Sequence, residues 1–416
     1  MTENRSYFIE TLGCPKNQVD SDKLEGTLIA DGMTEAASAD EADLIVVNTC
    51  AFIEEAREES IHTILALDHN RAESSELVVT GCMAERYGDE LAQALPEADA
   101  IAGFGVPVSI GSKPSAPLLD LLHLPRPPSR SPWAYVKIAE GCDRNCGFCA
   151  IPTFRGPQRS RTIDDICAEV DQLQAQEIVL VAQDLAAFGR DQGKGERAIV
   201  PLVKAVAELA PWVRLLYLYP SDLSDELIDT MCGTGVPYFD LSLQHVSRPL
   251  MRRMRRWGSG EVFLERIANI RAREPEASFR SNFIVGYPGE TEEDHDELLE
   301  FVAAARLDWC GFFSYSREDG TYAADLDGVV DSGLVAERLA ELREVQDIIT
   351  EEKRDEMIGR RVQVLVDEAG IARTHREAPE IDGIIEVPTD LAVGEFAMVD
   401  IVDAAGPDLR AASVTP

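Results

Sequence analysis

The sequence predicts an α/β protein in three parts: a small N-terminal α/β domain with a parallel sheet, a central partial (β/α)6 barrel, and a small C-terminal β-barrel. Three observations predict it. Apolar strand-like runs alternate with helical periodicity from residue 6 to about residue 105. Longer units of the same kind recur from Trp133 to about Glu356. From Gly359 onward the helical pattern gives way to short β-rich pieces separated by Gly, Pro and Asp. The expected boundaries are 5–118, 128–356 and 358–416.

In the N-terminal part the strands read as Tyr7–Thr11, Leu44–Asn48 and Leu77–Thr80, with helices such as Phe52–Leu67 and Glu85–Leu95 between and after them. Seven prolines between Pro107 and Pro132 argue against continuous helix or a central strand, so that stretch reads as a connection. The central strands read as Ala134–Ile138, Ile178–Ala182, Arg214–Tyr219, Tyr238–Leu243, Phe279–Val285 and Cys310–Tyr315. The helices include Thr162–Gln174, Val200–Leu209, Gly260–Ala272, Glu292–Ala305 and Val335–Glu356. Six such units suit an open barrel better than a closed eight-stranded one. The last part offers Val362–Val366, Gly383–Val387 and Phe396–Val402 as strands.

Composition narrows the function classes. No apolar run approaches the roughly 18–20 residues of a membrane span, and the N-terminus lacks the features of a signal peptide, so a cytoplasmic protein is expected. The balance of 39 basic against 75 acidic residues gives −36. Such a field disfavours a broad nucleic-acid interface and attracts a basic partner. Nine cysteines, an odd number in a reducing compartment, point to metal ligation or buried thiols rather than disulfides.

The sharpest motif is Gly141-Cys142-Asp143-Arg144-Asn145-Cys146-Gly147-Phe148-Cys149, a CxxxCxxC after the first barrel strand. Three thiolates on one tight loop can hold three irons of a 4Fe–4S cluster and leave the fourth iron free for another ligand. A zinc knuckle or an electron-carrying cluster would call for a fourth Cys or His, and none lies close in sequence. The motif resembles the radical-SAM superfamily. That resemblance implies S-adenosyl-L-methionine on the open iron and a 5′-deoxyadenosyl radical as its product. It places Phe148 beside the adenine, and Gln183, Gln244, Gly286 and Gly289, at later strand ends, around the cofactor.

Cys14, Cys50 and Cys82 each follow a predicted N-terminal strand, and parallel strands bring their C-terminal ends together. Three ordinary buried cysteines are the alternative. The segments Gly13-Cys14-Pro15-Lys16-Asn17, Val46-Val47-Asn48-Thr49-Cys50 and Thr80-Gly81-Cys82 resemble the methylthiotransferases, with a TRAM-like C-terminal barrel. Pro15-Lys16-Asn17, with Ala378 to Gly383, resembles the ribosomal-protein branch of that family rather than the tRNA-modifying one.

The resemblance implies two 4Fe–4S clusters, on Cys14, Cys50 and Cys82 and on Cys142, Cys146 and Cys149. It also implies S-adenosyl-L-methionine as both radical source and methyl donor, an external electron donor, and a methylthio group placed on the β-carbon of an aspartate of small-subunit ribosomal protein twelve. No side chain need act as acid or base. The alternatives are a tRNA adenosine methylthiotransferase and a non-catalytic iron–sulfur carrier.

Two surface features remain. From Arg361 to Pro416 there are four Arg, no Lys and eleven Asp and Glu, a balance of −7 that suits a basic protein better than RNA. Glu377, Glu380 and Asp382 fall in one predicted loop there and are the expected substrate contacts. The basic run Arg248, Arg252, Arg253, Arg255 and Arg256 reads either as a solvated helix face or as a contact with RNA or an acidic part of the substrate.

Overall fold

The computed structural model describes residues 5–106, 108, 120–193 and 195–414. The segment 109–119 of the expected proline-rich connection, with the expected boundary at 118, lies outside the described residues. Contacts divide the chain into two units. The first is Met1–Pro128 with Glu140–Cys142 and Ala150–Pro157; the second is Ser129–Ala139, Asp143–Cys149 and Gln158–Pro416.

The first unit is built on a five-stranded, wholly parallel sheet. Its order is Thr34–Glu35, Ser6–Thr11, Leu44–Thr49, Glu76–Gly81, Ala100–Ile101. All six residues of the central strand Leu44–Thr49 are buried, as a strand covered on both faces requires. Alternation assigns its side chains: Leu44 and Val46 pack with Leu24, Leu28 and Val78, while Ile45 and Val47 pack with Ile64, Leu77, Val79 and Met83. Helices Pro15–Ala30, Glu54–Asn70 and Cys82–Ala94 follow the three longer strands. The first starts where its sequence says it should, with Pro15 in its opening turn.

The second unit carries six parallel strands in chain order, as two three-stranded sheets. One holds Trp133–Lys137, Glu177–Val181 and Trp212–Leu215, the other Tyr238–Gln244, Ser278–Val285 and Trp309–Ser314. Among the described residues a single bridge joins them, with the Leu218 N–H on the Asp240 carbonyl at 2.9 Å and the Ser242 N–H on the Leu218 carbonyl at 2.9 Å. The expected strand Arg214–Tyr219 is therefore shorter than the apolar pattern implies. Tyr217 has φ +65°, and its N–H turns to the Asp240 carboxylate at 2.8 Å, so regular pairing stops at Leu215. Helix Glu292–Ala305 opens with a reciprocal cap between Thr291 and Asp294. Ser332–Asp355 is the longest helix among the described residues.

The same unit ends in a closed five-stranded barrel, ordered Arg361–Glu368, Ile371–Arg373, Ile385–Glu386, Asp408–Ser413, Phe396–Ala405. It is fastened to the N-terminal rim of the central strands. Glu177, first residue of its strand, bonds Arg214 at 2.6 Å and Arg373 at 2.8 Å, all buried. Tyr238 and Trp309, also first residues of strands, bond Asp382 at 2.6 Å and the Arg376 carbonyl at 2.7 Å.

This seam corrects one expectation. Glu377 is fully buried, paired with Arg354 and accepting from the Thr374 N–H at 2.8 Å. The Asp382 carboxylate is 1% exposed and also accepts from the Ala378 N–H at 2.8 Å. The loop is thus not a solvent-facing acidic surface. Glu377 neutralises Arg354, which would otherwise be buried alone, and Asp382 shares Arg280 with Asp240. Only Glu380 of the three is exposed.

Candidate metal centres

The N-terminal cysteines sit at equivalent points. Cys14 caps helix Pro15–Ala30, Cys50 follows strand Leu44–Thr49, and Cys82 opens helix Cys82–Ala94. The strand ends are in register, Thr11 beside Asn48 and Thr49 beside Gly81. A Cβ on Gly13 would lie 2.8 Å from the Cys50 sulfur, so the turn before Cys14 is closed against Cys50. Asn17 pins the arrangement: its amide donates to the Leu12 carbonyl at 2.9 Å and the Thr49 carbonyl at 3.0 Å.

Cys50 and Cys82 both feel the Cys14 thiol. Burial first, then the Cys14 thiol, pushes Cys50 up to about 12. Burial also raises Cys82, while Arg155 pulls it back. Burial would raise Cys14 too, but Lys16, Arg155 and backbone N–H groups outweigh it, and its pKa falls. Among the described residues no three Cys, His, Asp or Glu close around one metal ion. A cubane asks for a wider arrangement, because each thiolate ligates a different iron. Three thiols at adjacent strand ends, two of which sense the third, fit that demand, and none of the nine cysteines is in a disulfide.

One residue at this centre was not singled out from the sequence. Arg155 ends the short helix Ile151–Arg155 and is buried. One guanidinium nitrogen donates to the Cys82 sulfur at 2.9 Å and the Asn17 side-chain oxygen at 2.9 Å; the other donates to Glu140 at 2.9 and 3.0 Å. Its Cζ lies over the Phe104 ring, 4.5 Å from the centroid. Burial opposes its charge, but Glu140, Cys82 and Asp20 prevail and hold it firmly cationic. The signal was an arginine six residues beyond Cys149, in a segment too short for periodicity to mark it.

The CxxxCxxC loop falls in both units. In the first, the Cys142 N–H donates to the Gly156 carbonyl at 3.1 Å. In the second, Gly147 is held at both ends: its N–H donates to the Met254 carbonyl at 2.8 Å, and its carbonyl accepts from the Ala323 N–H at 2.7 Å. A Cβ there would lie 2.7 Å from the Tyr287 hydroxyl, so glycine is required. Phe148 packs with Leu250, Met254, Tyr287 and Ala323.

The basic run does not form one solvated face, and one of its arginines braces this loop. Arg256 donates to the Cys146 sulfur at 3.2 Å and also bonds the Ser242 carbonyl. Arg253 donates to the Pro288 carbonyl at 2.8 Å. Arg255 lies over the Tyr322 ring at 3.7 Å, and of the run only Arg248 and Arg252 are exposed residues of the helix, as a solvated face requires. Arg144, inside the motif, bonds Asp184 at 2.5 Å and pairs with Asp222. Arg144 and Arg256 both lie against Tyr219, at 3.9 and 4.2 Å.

The other expected cofactor contacts divide. Gln183 follows strand Glu177–Val181, and Gln244, with φ +71°, ends strand Tyr238–Gln244. Both therefore stand at C-terminal strand ends. Gly286 and Gly289 have φ +81° and +86°, but their bare sides are filled by the chain itself. A Cβ on Gly286 would lie 2.5 Å from Val335, and one on Gly289 3.0 Å from Arg253. Their smoothness serves this packing, not close approach of a nucleoside on that side. The turn is locked by Glu290, which accepts from the Gly286 N–H at 2.7 Å and pairs with Arg338 at 2.9 Å. Buried His245 is neutral, with burial lowering its pKa to about 4.

The family model of the uncharacterized protein family UPF0004 matches residues 6–103, that of the radical SAM superfamily residues 136–302, and that of the TRAM domain residues 358–414. The chain is 40% identical to the ribosomal protein uS12 methylthiotransferase RimO of Kineococcus radiotolerans, over 98% of this chain and 97% of that one. It is 42% identical to the protein of the same name from Moorella thermoacetica, over 91% of this chain and 92% of that one. Among solved structures it resembles the cobalamin-dependent S-adenosylmethionine radical enzyme OxsB with aqua-cobalamin bound. That match has a TM-score of 0.50 at 11% identity, over 82% of this chain and 56% of that one, and speaks to the fold alone.

Proposed function

The chain belongs to the family of ribosomal protein uS12 methylthiotransferases, and on that premise we propose that it adds a methylthio group to the β-carbon of an aspartate of uS12. It is a radical-SAM transferase that uses S-adenosyl-L-methionine and 4Fe–4S clusters. The observation that carries the reading is the pair of cysteine trios, one on three adjacent strand ends and one on a braced loop. We assign Cys14, Cys50 and Cys82 to one cluster and Cys142, Cys146 and Cys149 to the other.

The cofactors supply what side chains cannot, a carbon-centred radical able to abstract an unactivated hydrogen and a sulfur to put in its place. The chain's own residues hold and shield. Asn17 fixes the turn before the first trio through the Leu12 and Thr49 carbonyls. Gly147, clasped by Met254 and Ala323, fixes the second loop, and Arg256 presents its charge to the Cys146 sulfur. Phe148 and the strand-end residues Gln183 and Gln244 are assigned to the nucleoside; Gly286 and Gly289 enter as formers of the neighbouring turn. No titrating side chain is given a proton-transfer role, in keeping with a neutral, buried His245.

The reaction needs an external electron donor, and the work is placed in the cytoplasm with the ribosomal protein. No helix among the described residues is long and apolar enough to cross a membrane.

The test is anaerobic reconstitution to about eight irons per chain, four per cluster, followed by incubation with uS12, S-adenosyl-L-methionine and dithionite. Mass spectrometry should find the methylthio group on one uS12 aspartate. Unmodified uS12, with the group found on tRNA adenosine in a parallel reaction, would overturn the substrate assignment.

A further inference from the structure

We propose that Arg155 is a positioning residue for the N-terminal cluster, holding its reduction potential up by placing a fixed positive charge and an N–H donor on the Cys82 sulfur. The proposal rests on the assignment of Cys14, Cys50 and Cys82 as ligands.

The geometry is specific. Arg155 is buried, 2.9 Å from the Cys82 sulfur and 2.9 Å from the Asn17 oxygen, and it stacks on Phe104. Two carboxylates share it, Glu140 at 2.9 Å and Asp20 at 3.4 Å. A guanidinium cannot lose its proton under ordinary conditions, so the charge is constant. Three thiolates on a 4Fe–4S core carry net negative charge, and one-electron reduction adds another. In a buried, weakly screened site a neighbouring cation favours the reduced state, and an N–H bond to a ligating sulfur acts in the same sense. Glu140 acts in the opposite sense, because it neutralises the same guanidinium. Arg155 and Glu140 are thus an adjustable pair set beside one ligand.

Shape gives the arginine a second task. The fork joins Cys82 and Asn17, which belong to the strand-end site, to Glu140, which stands two residues before Cys142. Lysine carries the charge but not the fork. It should keep part of the electrostatic effect while losing the sulfur bond or the Glu140 pair.

The experiment uses the full chain with Cys142, Cys146 and Cys149 changed to Ala, so that only the N-terminal cluster loads. Iron content and an EPR-monitored titration with dithionite are then compared among this parent, Arg155→Met, Arg155→Lys and Glu140→Gln. Arg155→Met should keep about four irons. At the parent's midpoint its reduced-to-oxidised ratio should fall at least tenfold, about 59 mV for one electron. Arg155→Lys should fall between the two, and Glu140→Gln should shift the opposite way.

Equal midpoints in loaded Arg155→Met and parent would overturn the proposal. If Arg155→Met fails to fold or load, Glu140→Gln decides, and an unshifted or lowered midpoint there sinks it. A parent that loads no iron removes the ligand assignment itself, and this proposal with it.

Discussion

Gly13 decides where the Cys50 sulfur can sit. Its φ of +94° is a left-handed conformation that costs an L-residue of order 1–2 kcal/mol, and an added Cβ would meet the Cys50 Cβ at 2.7 Å and its sulfur at 2.8 Å. Gly13→Ala should therefore displace a ligand as well as strain the chain. Reconstituted iron should drop from about eight to about four per chain, four being one cluster. Gly32 is the control: its φ is +83°, but nothing lies within 4 Å of an added Cβ. Gly32→Ala should lower the melting temperature slightly and leave the iron unchanged. The six candidate ligands could be picked out in sequence because each cysteine follows an apolar run or sits in a dense motif. Arg155 was not. Its role depends on Asn17 and Cys82 being brought to it by folding, which no local pattern encodes. The basic run was open between two readings for the same reason, since a string of arginines does not say which of them turn inward to carbonyls and a sulfur.

Strands and helices of the first unit and of the central array follow the apolar periodicity to within a few residues, because burial on one or both faces writes that periodicity. Departures are local. Tyr217 ends a strand through its own backbone angle, and Ile371–Arg373 is too short for alternation to register. The acidic loop of the last barrel failed for a different reason: sequence shows charge but not the opposite charge across a seam. Glu377 is held at about 2; burial works against this, but Arg354 and the Thr374 hydroxyl and N–H outweigh it. Its folded pKa lies below its unfolded value near 4.5, so its contribution is present above that pH and is lost as pH falls toward 2. A shift of this size corresponds to about 3 kcal/mol. Glu377→Ala also leaves Arg354 buried without its partner, a change that typically costs about 3–5 kcal/mol. Thermal melts at pH 7 should show a large fall in melting temperature. Melts between pH 4.5 and pH 2 should show a shallower acid dependence than the parent. Asp382 has the opposite sign, since burial raises it to about 6, and its contribution is lost as pH rises through that value. The two variants Glu377→Ala and Asp382→Asn should therefore tilt the pH profile in opposite directions. Matching profiles for the two would contradict the burial that places both in the seam.

Across the whole chain the balance is −36, and burying Glu377 and Asp382 in a seam does not alter that sum. Any attraction for a basic partner then belongs to the summed field rather than to one loop, and it should behave as a screened, long-range interaction. The Debye length falls from roughly 10 Å at 0.1 M salt to 3 Å at 1 M. Association with uS12 should weaken steeply over that range, mainly through a slower on-rate, because rim and field charges act on encounter more than on dissociation. Bulk tRNA should bind weakly at every salt concentration, since a strongly acidic chain must work against the phosphate backbone to make contact. Surface-plasmon measurements of both partners across the salt series separate the two cases. If uS12 binding is flat with salt, a short-range, largely apolar surface recognises it and the field is incidental. If tRNA binds more tightly than uS12 and its affinity falls with salt, the negative field is overcome by a local basic patch, with the exposed Arg248 and Arg252 the first residues to change.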